Sequence, residues 1–201
     1  MRKTTQTLIT LAAAAVCAML ITGCSAKARM VRHQRRADTY FADGDYSKAE
    51  VEYLIALRLD RANPHNISRL GQIYYEQGRF RIAYAYISKA SELLPDDMSL
   101  HVKLGTILLN LHGFKEAAEQ AELVLDKSPT NVEAPDILAE SVTSRVELDK
   151  AQKRLEKLSK QIGDTAPLEL AFGIMDFISG DTNGAEAALN RALVLNPKYA
   201  S

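Results

Sequence analysis

The stretch ANPHNISRLGQIYYEQGRFRIAYAYISKASELLPDD, residues 62–97, decides the fold. It holds four tyrosines, a histidine, several cations and Asx residues at both ends. Such a cluster is either the wall of a site or the packing of two helices. Recurrence separates these readings, because a supersecondary unit that cannot bury its apolar face alone is repeated along the chain. The pattern recurs in YFADGDYSKAEVEYLIALRLD (40–60), in LLNLHGFKEAAEQAELVLDKSP (108–129) and in FISGDTNGAEAALNRALVLNP (177–197). Each has an apolar helix end, a Gly, an often aromatic residue, an Ala a few places on and a leucine-rich close. A spacing of 34 residues brings them into phase.

Five units fit that spacing without a gap: 30–63, 64–97, 98–131, 132–165 and 166–199. Position 8 is small in all of them (Ala37, Gly71, Gly105, Ala139, Gly173), and position 20 is always alanine (Ala49, Ala83, Ala117, Ala151, Ala185). Small residues there let two helices cross closely. A turn glycine stands at Gly44, Gly78 and Gly180, with Gly113 one place later; glycine suits a left-handed helix end. Pro95, Pro129 and Pro197 stop the second helix, and Asn63-Pro64 makes a capped start for the next one. In length and positions the unit resembles the tetratricopeptide repeat. That resemblance implies an all-α fold, an α-solenoid of tandem helix–turn–helix units in a right-handed superhelix. Unit four departs from the pattern. It has Val146 for the turn glycine and Gly163 for the proline, and its charged second helix, LDKAQKRLEKLSKQ, is expected to be longer, bent or more exposed.

The N-terminus reads as an address. Arg2 and Lys3 precede an apolar run from Leu8 to Ile21, too short for an ordinary transmembrane helix and right for an export signal. The run closes in Ile21-Thr22-Gly23-Cys24, which resembles the bacterial lipobox. The resemblance implies a signal peptide over 1–23, cleavage before Cys24, acylation of that thiol, and a tether over 24–29. Cys17 falls in the discarded segment. Ser25, rather than Asp, follows the cysteine and favours the outer membrane, periplasmic face, where the host has two membranes.

Composition closes off other classes. Past residue 23 the chain has 23 basic and 25 acidic side chains, a balance of −2, so no nucleic-acid footprint exists overall. Two cysteines exclude a disulfide framework and a Cys-based zinc site. No phosphate-binding Gly-rich loop, H-E-x-x-H or G-x-S-x-G occurs, so no enzyme activity, metal or cofactor is expected. His33, His65, His101 and His112 are scattered; His33 and His101 sit at position 4, where the family often has an aromatic residue, and are read as structural substitutes.

In the tetratricopeptide family the first helix of each unit lines the concave face. Carried over, the partner-binding residues are Gln34, Asp38, Phe41, His65, Arg69, Gln72, Tyr75, Glu76, Lys103, Thr106 and Asn110. Units four and five add acidic Glu133, Asp136 and Glu140, then apolar Leu170, Ile174 and Phe177. Gln34 and Asp38 replace the Lys and Asn of the carboxylate clamp found in heat-shock co-chaperones. The reading is a lipid-anchored scaffold for protein partners in the cell envelope, resembling pilotin-type or exopolysaccharide-system lipoproteins. The alternatives are a glycan- or peptidoglycan-binding lipoprotein and the front of a longer export protein. Self-association through an uncapped last repeat is a further expectation.

Overall fold

The structure, a computed structural model, describes residues 26–200, with side chains up to Lys198. The expected signal peptide over 1–23 and the expected lipidation site Cys24 lie outside the described residues. Among the described residues every α or 3-10 element is helical and no strand occurs. The helices are α1 (26–42), α2 (Tyr46–Leu59), α3 (Pro64–Glu76), α4 (Phe80–Leu93), α5 (Met98–Asn110), α6 (Phe114–Lys127), α7 (Ala134–Glu140), α8 (Arg145–Ile162), α9 (Ala166–Ser179) and α10 (Thr182–Leu195). A 3-10 turn, Pro197–Ala200, follows. The chain forms two compact units, one ending at Ile73 and one starting at Tyr74.

In the first unit α1 and α2 make a helical hairpin. The tether reading needs correction over 26–29, which are the first turn of α1. Ala26, Lys27, Ala28 and Arg29 are all strong helix formers, and no Gly or Pro interrupts them. Gly44 takes the left-handed turn at φ 75°. Asp45 then caps α2, its carboxylate accepting the Lys48 N–H at 3.2 Å. Asn63 does the same for α3, accepting the Asn66 N–H at 3.1 Å with Pro64 in the first helical place. The core is Met30, Ala37, Ala49, Tyr53, Ala56, Ile67, Leu70 and Ile73.

The second unit repeats the hairpin. Ala83, Ala117, Ala151 and Ala185 are buried, as the position-20 pattern predicts. Ile87, Leu100, Ile107, Leu125, Leu155 and Leu168 are fully buried around them, each contributing roughly 1.5–3 kcal/mol. Gly78 and Gly180 hold the left-handed turns at φ 68° and 89°. The third turn differs from expectation. His112, at φ 61°, occupies the left-handed position, while Gly113 has φ −86° and serves as N-cap of α6. The close approach at Gly105 also differs. A Cβ there would meet Ile137 of α7 at 3.0 Å before it met Gln120 of α6 at 3.6 Å, so the next hairpin sets that constraint.

The charged helix of unit four is longer, 18 residues against 14 for α2, α4, α6 and α10. Its partner α7 has only 7 residues. Ser144 explains the shift. Its hydroxyl accepts the Glu147 N–H, and the Glu147 carboxylate turns back to accept the Thr143 N–H at 2.9 Å and hydroxyl at 2.7 Å. That reciprocal pairing is a capping box one place wide of the usual geometry, and it starts α8 early. Val146 lies inside the helix, not at a turn. Arg154 ties α8 back to α6 through Glu122 and Asp126, each at 2.7 Å.

Candidate functional site

In the first unit Asp38 and His65, both expected to face a partner, meet each other. Asp38 of α1 accepts from the Tyr53 hydroxyl of α2 at 2.5 Å and from His65 Nε2 of α3 at 2.7 Å. Tyr53 is fully buried, and burial, then its bond to Asp38, raise its pKa. Its ring also meets the His65 ring edge-on. Asp38 and His65 therefore knit three helices together. Two residues expected to face a partner are engaged within the chain, and the buried phenol is the member that sequence reasoning left out. Its signal was a Tyr one helix away from a groove carboxylate.

Beside that network lies a surface less committed to the fold. The Arg69 guanidinium sits 4.6 Å over the Phe41 ring and donates to Gln72 Oε1 at 3.0 Å. Gln72 in turn reaches Ser68 at 3.3 Å. Phe41, Arg69 and Gln72 are half-buried, and Gln34 is too.

The second unit repeats the device. Lys103 Nζ of α5 stands 5.0 Å over the Tyr75 ring. Phe41 and Tyr75 are 34 residues apart, and so are Arg69 and Lys103. A cation from one first helix thus covers the aromatic ring on the preceding one, twice. Burial raises the Tyr75 pKa, a hydrogen bond to Thr106 lowers it, and the fields of Glu133 and Glu76 raise it further. Thr106 and Asn110 also bond to their own helix backbone. Glu76 is exposed.

Next along the same unit, Asp136 of α7 is pushed up to about 7, by burial first and then by the charges of Glu140 and Glu133. Its Oδ1 is out of solvent with no hydrogen-bond partner. Glu133 and Glu140 are exposed. Leu170 and Ile174 are half-buried, whereas Phe177 is 72% exposed, beside exposed Ile178. Among the described residues no group of three or more His, Cys, Asp and Glu side chains is placed to hold a metal ion.

Residues 68–132 match the tetratricopeptide repeat family. Superkiller complex protein 3 of Homo sapiens is 31% identical over 100 residues, half of this chain and 6% of the human protein. Tetratricopeptide repeat protein 37 of Xenopus laevis is 33% identical over the same length, again 6% of that protein. The chain thus spans only a small part of the curated relatives it matches. Among solved structures, MamA 41-end from Desulfovibrio magneticus RS-1 superposes with a TM-score of 0.70 at 17% identity, covering 86% of this chain and 98% of that one. YrrB, described as a TPR protein with an unusual peptide-binding site, gives 0.67 at 19% identity, over 82% of this chain and 85% of that one. Pseudomonas aeruginosa pilF gives 0.59 at 22%, over 82% and 75%. Residues 68–132 carry the tetratricopeptide pattern, which implies a scaffold for protein–protein interaction, and the described chain shares the all-α solenoid fold of those structures.

Proposed function

We propose that this chain is a non-catalytic scaffold for protein partners in a bacterial cell envelope, anchored by lipid at Cys24. Its membrane is the outer one, on the periplasmic face, where the host has two. The observation that carries the interaction reading is the repeated cation-over-aromatic pair, Arg69 on Phe41 and Lys103 on Tyr75. A half-buried ring under a cation offers both apolar area and positive charge, which suits a peptide or helix carrying acidic and apolar side chains. The fold shared with YrrB, which is described as having a peptide-binding site, supports a partner-holding role. The lipobox-like Ile21-Thr22-Gly23-Cys24 supports the anchor.

Two experiments test this. Crosslinking in intact cells, followed by identification of captured proteins, is expected to recover envelope proteins. Arg69→Glu with Lys103→Glu is expected to lose them. Undiminished capture by that variant moves the site elsewhere, and retention on a glycan column without any protein partner favours the glycan-binding alternative. Separately, mass spectrometry of the N-terminal peptide of the parent chain is expected to find Cys24 as the first residue with its thiol acylated, and Cys24→Ser is expected to abolish both cleavage and acylation; an unacylated Cys24 in the parent defeats the anchor.

A further inference from the structure

The first half of α1 is strongly basic. From Ser25 to Ala37 the chain has Lys27, Arg29, Arg32, Arg35 and Arg36 and no acidic residue. The rest of the first unit, 38–73, has six acidic and four basic side chains, so the positive charge is concentrated there. At 3.6 residues per turn, Arg29, Arg32 and Arg35 form an i, i+3, i+6 stripe across roughly a third of the helix circumference, with Arg36 inside it. Met30 and Ala37, both buried, fix the opposite flank as the packed one. All four arginines are exposed and border one open cleft with His33. Arg36 pairs with Glu52 at 3.2 Å, but among the described residues Arg29, Arg32 and Arg35 form no ion pair.

Nothing in the fold requires three unpaired arginines on one stripe. Concentrated like charge on a helix repels itself unless an anion covers it. We infer that this stripe lies on a bilayer surface and binds the phosphates of anionic phospholipids. Charge complementarity favours that occupant. So does position, since the stripe begins five residues after Cys24 and each guanidinium has a fork of donors matched to phosphate. A basic segment beside a lipid anchor supplies the second signal that stable membrane attachment needs. The support from position rests on the proposed anchor at Cys24, whereas the support from charge and geometry does not.

The test uses the chain from residue 24 carrying Cys24→Ser, which keeps every described residue and removes the expected acylation site and the apolar leader. Sedimentation with vesicles is expected to show binding to phosphatidylcholine containing phosphatidylglycerol and none to phosphatidylcholine alone. Arg29→Gln, Arg32→Gln and Arg35→Gln together are expected to weaken binding roughly a hundredfold, about fivefold for each cation at the surface. Raising salt toward 1 M, where the screening length falls to about 3 Å, is expected to abolish it. Arg61→Gln, an exposed cation elsewhere in the same unit, should change little by comparison. Equal binding to both vesicle types, an unaffected triple variant, or displacement of vesicles by an oligonucleotide at matched phosphate would overturn the proposal. Because no acyl chain is present, these outcomes are independent of whether Cys24 is modified in cells.

Discussion

His101 and Gln120 lie 2.8 Å apart, Nδ1 to Oε1, across the α5–α6 hairpin. In the first hairpin His33 and Glu52 lie 2.6 Å apart in the same pair of repeat positions. The histidine that replaces an aromatic at position 4 is thus paired in both units where it occurs. His101 also bonds to the Pro95 carbonyl at 3.2 Å, fastening α5 to the turn before it. Gln120→Ala leaves a buried ring nitrogen unpartnered and is expected to cost about 1 kcal/mol in urea denaturation. A double-mutant cycle with His101→Ala should give a coupling of roughly 0.5–1.5 kcal/mol. Simple additivity would mean that the pair contributes nothing of its own.

His112 bears the left-handed conformation that Gly44, Gly78 and Gly180 bear in the other turns. A side chain there costs roughly 1 kcal/mol against glycine. Its ring sits 5.8 Å from Phe114, a contact of about 0.5 kcal/mol. His112→Gly is therefore expected to stabilise the protein by up to about 0.5 kcal/mol, while Gly180→Ala should destabilise it by about 1 kcal/mol. A lower thermal midpoint for His112→Gly would show that the ring contact outweighs the strain.

Most of the hairpins were legible because they rest on single residue types whose physics is local. A glycine that frees φ, an asparagine that caps, and an alanine where helices cross each announce themselves at fixed spacing. His112 was not legible, since a neighbouring Gly113 offered the cheaper residue for the same turn. The shared placement of the candidate polar and aromatic side chains on first helices was legible, but not which of them are already engaged within the chain. Period 34 puts Asp38, His65, Phe41 and Arg69 on first helices, yet whether a polar group faces solvent or a neighbour depends on the residues across from it. Asp38 is bonded to Tyr53 and His65, whereas Arg69 rests over the face of the half-buried Phe41 ring. No one-dimensional pattern separates those two cases.

Unit four did carry a readable signal that the repeat register obscured. Ser144-Arg145-Val146-Glu147 has the Ser-x-x-Glu spacing of a helix start, three residues ahead of the regular position. Ser144→Ala is expected to cost about 1 kcal/mol. Hydrogen exchange should localise the loss to amides 145–148 at the head of α8. Protection unchanged there would mean that packing of Leu148 and Ala151, not the cap, holds the early turn.

Asp136 sets a pH dependence whose sign follows from its surroundings. Its folded pKa, about 7, stands above the ordinary value of 3.8 because burial, Glu140 and Glu133 all disfavour its charge. Below about pH 4 the carboxyl is protonated in both states and costs nothing. Between about pH 4 and 7 the unfolded chain ionises first, so this group lowers stability as pH rises, and above 7 the loss is complete. Asp136→Asn removes the titration. The variant is expected to gain roughly 1–3 kcal/mol relative to the parent at pH 8, and little at pH 4. Glu140→Gln, which removes the neighbouring carboxylate with the larger effect on Asp136, should recover part of that gain. Urea midpoints at the two pH values for parent and variants measure both effects. Parallel pH profiles for parent and Asp136→Asn would show that this carboxyl titrates normally in the folded protein.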